Sequence, residues 1–267
     1  MAFNPNAYKP TISAKSLPVV LLLDVSGSMS GEKINKLYDA VVKMVDVFVD
    51  QRAKETMIKV AIITFGASVD LHTPYTDVEE LQKCGINQFY ANGMTPLGCA
   101  LRMAKDMIDD KDTTPPKEMY APAVVLVSDG QPNDNWREYF NAFVNGDSNG
   151  RRTVKCQRFS VAIGNDADTS MLKNFASTGE DGTELMYYAD SADQIVEAFK
   201  NISITISRTS SNIGKSGMSN SCGRSFDSAN AEGRPTATPS ASRSARSSSV
   251  FSKGTASSDD DYDEDEY

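Results

Sequence analysis

The chain has 267 residues, 40% of them hydrophobic and 24% charged, with a net charge of −9. Acidic overall and lacking a basic stripe interleaved with aromatics, it is a poor match for nucleic acid or an anionic membrane. Its single histidine, His72, argues against a His-dependent triad, and four cysteines without close pairing or zinc-type spacing fit a reduced, cytoplasmic protein.

Residues 1–16 read as a polar N-terminal extension interrupted by Pro5 and Pro10, unlike a signal peptide. Buried strands are predicted at Pro18–Leu23, Lys59–Phe65, Ala123–Ser128 and Phe159–Ile163. Each is a run of Val, Ile and Leu without clear alternation, the mark of parallel strands covered on both faces. Val69–His72 reads as a short antiparallel edge strand and Leu185–Tyr188 as a last parallel one. No apolar run approaches the ~20 residues of a membrane-spanning helix.

Helices are predicted between the strands. Ile34, Leu37, Val41, Met44, Val45 and Phe48 fall at spacings of three and four, giving one apolar helical face from about Gly31 to Arg52. Leu97, Leu101, Ala104, Met107 and Ile108 repeat the pattern after Thr95-Pro96. Trp136 to Val144, Met171 to Phe175 and Ala192 to Ile204 complete the set. Strands alternating with helices imply right-handed crossovers, hence a three-layer α/β, Rossmann-like, doubly wound, mostly parallel sheet over residues 17–206. Residues 207–258, dominated by Ser, Gly, Ala, Thr and Pro, read as a disordered linker. Residues 259–267 form an acidic tail holding seven Asp or Glu.

Three loops carry the chemistry. Leu21-Leu22-Leu23-Asp24-Val25-Ser26-Gly27-Ser28-Met29-Ser30 places an acid and two spaced hydroxyls where a buried strand ends, the edge at which open α/β sheets hold ligands. Gly93-Met94-Thr95-Pro96-Leu97-Gly98 sets a threonine hydroxyl just before a helix. Val127-Ser128-Asp129-Gly130 ends another buried strand in an acid. Oxygen-only donors of this kind suit a hard cation, and two carboxylates with three neutral hydroxyls would leave the ion attractive to an incoming acid. Each loop also has a plain structural reading: a turn before a helix capped by Ser30, a Thr-Pro helix start, and an ordinary Asp-Gly turn.

Asp24, Ser26, Ser28, Thr95 and Asp129 together resemble, in order and spacing, the metal-ion-dependent adhesion site of von Willebrand factor A domains. The resemblance implies Ser26, Ser28 and Thr95 as direct ligands of Mg²⁺ (Mn²⁺ as the alternative), with Asp24 and Asp129 direct or water-mediated. It also implies an open position for the Asp or Glu carboxylate of a protein partner. The stretches 22–31, 95–101, 128–136, 163–169 and 199–207 are similar to TerY-type bacterial A-domain proteins. That likeness implies a non-enzymatic, cytoplasmic scaffold from stress-response or tellurium-resistance loci, acting beside a serine/threonine kinase and a metal-dependent phosphatase. The acidic tail departs from the short ending of that group.

Other residues leave choices open. Asp168 reads as the N-cap of the helix at Met171 rather than as part of a second cation site with Asp166. Trp136 either sits on the rim of the metal face or packs under its own helix. A linker of about fifty residues has a root-mean-square reach of roughly 40 Å, against a radius of gyration near 17 Å for a domain of roughly 200 residues. The tail could therefore visit the metal site of its own or another copy. The rival reading is a metal-dependent phosphohydrolase, but none of the three loops offers a Lys or Arg to grip phosphate.

Overall fold

The computed structural model describes residues 15–51, 57–165, 167–179 and 182–219. The acidic tail, the linker from residue 220 onward and most of the N-terminal extension lie outside these residues, as do Asp166 and Cys222.

Six strands form one sheet in the order β3-β2-β1-β4-β5-β6: β1 (Ser16–Asp24), β2 (Met57–Phe65), β3 (Val69–Asp77), β4 (Ala123–Ser128), β5 (Gln157–Ile163) and β6 (Met186–Ala189). All neighbours are parallel except β2 and β3. Every residue of β1 is buried, as its unbroken apolar run requires for a strand covered on both faces. β1 begins at Ser16 rather than Pro18, because the Ser16 amide donates to the Glu118 carbonyl and its own carbonyl accepts from the Tyr120 amide.

The two faces of the sheet bury separate cores. Val19, Leu21 and Leu23 of β1 pack with α1 (Glu32–Gln51), α2 (Val78–Cys84) and α6 (Ala192–Ser219), through residues such as Leu37, Met44, Leu81, Phe199 and Ile202. Val20 and Leu22 face α3 (Leu97–Asp109), α4 (Trp136–Asn145) and α5 (Thr169–Phe175), through Leu101, Ile108, Phe143 and Phe175. The layered, doubly wound architecture is as the sequence pattern implies.

Several elements differ from the pattern reading. β3 extends through Pro74 to Asp77, and its pairing with β2 shifts register between Val60 and Ile62, opposite that proline. An edge strand tolerates this, since Pro cannot donate to a ladder. The helix α2 has only Val78 and Leu81 buried, too few to show a period. The last helix runs to Ser219, past the boundary at 206 where a linker was expected. Its apolar positions Ile195, Phe199, Ile202 and Ile206 anchor it, and extending an existing helix costs far less than nucleating one. Ser203 and Thr205 hydroxyls donate back to the Phe199 and Asn201 carbonyls, which further reconciles hydroxyl side chains with the helix.

β1 is the switch point of the sheet, with β2 on one side and β4 on the other. Leu23 lies opposite both Thr64 of β2 and Val127 of β4, so the three strands end level with one another. The loops that follow them converge at this edge.

Candidate metal site

Asp24 closes β1 with its side chain fully buried. One carboxylate oxygen accepts from the Ser26 amide at 2.9 Å and the other from the Ser128 hydroxyl at 2.7 Å. Burial pushes the Asp24 carboxyl above its ordinary range; the bonds from Ser26 and Ser128 oppose that rise and the nearby Asp129 charge adds to it. After Ser26 the chain makes a single 3-10 turn over Gly27–Met29 that ends at Ser30. The Ser26 hydroxyl is not spent on capping this turn and lies 3.0 Å from the Ser28 hydroxyl. The Ser28 hydroxyl in turn donates to Asp129 at 2.6 Å, across 101 positions of sequence. Four of the five expected residues thus form one connected oxygen cluster from the ends of β1 and β4.

Thr95 reaches the same edge from the loop before α3. Its amide donates to the Asn133 side chain at 3.1 Å, and its carbonyl accepts from the Asn133 amide. Its hydroxyl lies beside the Asp129-Gly130 turn, 3.9 Å from where a Cβ on Gly130 would stand. The α3 amides of Gly98 and Cys99 are capped by Asp134, at 3.1 Å each, rather than by Thr95. The helix-cap reading of Thr95 is therefore displaced, and its hydroxyl is held at the site without serving α3.

Backbone bonds lock the loops together. The Val25 amide donates to the Phe65 carbonyl, the Asn92 amide to the Val25 carbonyl, and the Gly27 amide to the Gly93 carbonyl. Two glycines permit this closeness. Gly93 has φ +78° and would place a Cβ 2.4 Å from Ala67, while a Cβ on Gly66 would lie 2.6 Å from the Asn92 carbonyl oxygen and 2.7 Å from that of Val25. Of the five side chains only Ser28 is exposed; Ser26, Thr95 and Asp129 are buried beneath the mouth, and Met94, on the same loop as Thr95, is exposed.

The donor set is all oxygen, two carboxylates with three hydroxyls, and its chemistry fits a hard divalent cation. Among the described residues there is no group of three or more His, Cys, Asp or Glu, so no carboxylate-rich or thiolate alternative competes. Sequence reasoning missed Lys33. From the first turn of α1 its ammonium pairs with the second oxygen of Asp129 at 2.7 Å. It also missed Ser128, Asn133 and Asp134, all of which hold the loops. Trp136 packs under its own helix, edge-on to Phe140 at 5.3 Å, and Asp168 caps α5 through the Met171 amide. Cys84, Cys99 and Cys156 are free thiols.

The von Willebrand factor type A domain model matches residues 19–201. The chain belongs to this family, whose domains commonly serve as protein-interaction or adhesion modules. Among solved structures it is similar to proximal thread matrix protein 1 of the mussel byssus, with a TM-score of 0.56 and 15% identity over 72% of this chain and 48% of that one. A form of the same mussel protein with a zinc-occupied MIDAS motif gives a TM-score of 0.53 and 16% identity, over 74% of this chain and 46% of that one. A von Willebrand factor type A protein from Catenulispora acidiphila gives 0.51 and 18%, over 71% and 42%. At these identities the likeness is one of fold, and the chain spans less than half the length of each of these proteins. No curated protein matches the chain. No described helix is long and apolar enough to cross a membrane.

Proposed function

We propose that this chain is a non-enzymatic, Mg²⁺-dependent protein-interaction module. Ser26, Ser28 and Thr95 would hold the ion directly, Asp24 and Asp129 directly or through water, with Mn²⁺ as the alternative ion. The bound ion supplies a Lewis-acidic position for a partner's Asp or Glu carboxylate. The observation that carries this reading is the Ser28 hydroxyl, which joins Ser26 to Asp129 and so brings two strand ends to one spot at the protein surface. Asp24, fully buried with both oxygens engaged, orients the loop from beneath.

The finer assignment rests on the likeness to TerY-type proteins. It is a cytoplasmic scaffold in a bacterial stress-response or tellurium-resistance assembly, meeting a serine/threonine kinase and a metal-dependent phosphatase. The carboxylates of residues 259–267 are candidate competitors for the same open position, in the same or another copy. Capture of partners by wild type and by Ser26→Ala/Ser28→Ala, with Mg²⁺ and with chelator, tests the proposal. Partners held only by wild type with Mg²⁺ are expected, and capture indifferent to both changes refutes it. One observation favours the phosphohydrolase alternative: Lys33 brings to the site a cation that the loops lack. Mg²⁺-dependent phosphatase turnover abolished by Asp24→Ala would establish that alternative.

A further inference from the structure

The pairing of Lys33 with Asp129 joins residues 96 positions apart and attaches to the oxygen cluster through Asp129. Asp129 divides its two oxygens: one accepts from the Ser28 hydroxyl at 2.6 Å and the other from the Lys33 ammonium at 2.7 Å. The Asp129 side chain is 0% exposed, whereas that of Lys33 is 39% exposed. The ammonium therefore approaches from the solvent side to a carboxylate that water does not reach. Gly164, just after β5, lies beside it; a Cβ there would stand at ordinary contact, 3.8 Å from the Lys33 nitrogen. No other salt bridge among the described residues involves either acid of the cluster.

Two buried carboxylates side by side repel each other and have lost their hydration, so a fold that keeps both needs a compensating charge. A divalent ion would provide it, and Lys33 already provides part. We infer that Lys33 is a built-in counter-cation of this site: it offsets one of the two acids in the metal-free protein, and by doing so it weakens the hold on the divalent ion. With Lys33 paired, the acid pair presents a net charge of −1, so a bound Mg²⁺ keeps a full positive charge towards an incoming carboxylate. Without Lys33 the same ion would be neutralised by Asp24 and Asp129, bound more tightly and less attractive to an acidic partner. Lys33 would thus set the balance between gripping the ion and leaving it electrophilic, acting through Asp129 and without itself being a ligand.

This inference rests on the metal reading above, and Mg²⁺ alone, titrated by calorimetry into the full untagged chain, tests the two separately. Lys33→Met is expected to bind Mg²⁺ about tenfold more tightly than wild type, because a like charge is removed from beside the ion. In chelator the same variant should unfold at a lower temperature than wild type, and saturating Mg²⁺ should close that gap. Lys33→Arg should keep wild-type affinity. Lys33→Gln, neutral, polar and one bond shorter, gives a second neutral variant should the methionine perturb folding, and it too should bind more tightly. Neutral variants that fold normally yet bind Mg²⁺ equally or more weakly overturn the counter-cation role while leaving the metal site standing. Absence of binding by wild type and all variants overturns the metal reading itself.

Discussion

Replacing Gly66 by alanine tests the convergence of loops without touching any candidate ligand. The added Cβ would stand 2.6 Å from the Asn92 carbonyl oxygen and 2.7 Å from the Val25 carbonyl oxygen, where ordinary contact begins at 3.4 Å. Both obstacles are backbone, and the Val25 oxygen is the one that accepts from the Asn92 amide at 2.8 Å, the bond that joins the first candidate loop to the segment bearing Thr95. Gly66 is not among the glycines with positive φ, so alanine is excluded by contact and not by backbone conformation. The loops must part by about 0.8 Å to admit the methyl group, and overpacking of this kind costs about 1–3 kcal/mol. For a domain of this size that lowers Tm by roughly 2–12 °C. Because Mg²⁺ demands near-ideal octahedral geometry, its affinity should fall by about tenfold or more. Urea unfolding in chelator measures the first effect and a calorimetric Mg²⁺ titration the second. Gly85→Ala is the control: with φ +79° and nothing within 4 Å, it should cost only backbone strain and leave Mg²⁺ affinity alone. If Gly66→Ala matches wild type in both measurements, the loops are not locked as described and the reasoning fails.

Ser128→Ala should destabilise the metal-free protein by about 1–3 kcal/mol at neutral pH, since it removes a hydroxyl donor from a fully buried carboxylate. Burial already pushes the Asp24 carboxyl up, and losing the Ser128 bond pushes it further. Metal-free wild type should therefore be most stable, as far as Asp24 is concerned, below the ordinary aspartate range and lose that contribution as pH rises through the raised value. The deficit of Ser128→Ala should shrink on acidification, and a deficit independent of pH would show that the bond is not to a charged acid. His72, the only histidine, is held below its ordinary value of 6.5 chiefly by burial, with the Asn87 backbone bond and Asp70 opposing. Its contribution to stability is present above about pH 6.5 and is lost as pH falls through the depressed value. Proton NMR of its ring in untagged protein should give a midpoint below 6.5, and one at or above that value would contradict its partly buried place against Phe89.

Much of the architecture was legible because burial on both faces leaves a direct trace. Strands such as Leu17–Leu23 and Ala123–Val127 must be apolar at every position, and α1 and α3 must be apolar on one side. The site was legible in outline for a related reason: Asp24 and Asp129 interrupt apolar runs where the strands end, and Ser26, Ser28 and Thr95 follow in readable spacings. What escaped was set by contacts distant in sequence. Nothing near Lys33 tells that its ammonium meets Asp129, and nothing near Asp134 tells that it caps α3 across a loop. The continuation of β3 beyond His72 escaped because Pro74 signals a break, although the partner strand absorbs it by shifting register. The extension of α6 to Ser219 escaped because composition alone describes a segment apart from the helix it prolongs.

Both flanks of the sheet are poor templates for an added strand. On one side β3 carries Pro74 and an irregular ladder, and on the other β6 offers only four residues. Sideways growth from copy to copy is discouraged at either margin. If the proposed ion site is the docking point, association belongs to the strand tips, where attachment through a single exchangeable ion would be undone by removing that ion. A long, regular margin would have allowed a second, uncontrolled mode of sticking, and neither described edge strand offers one.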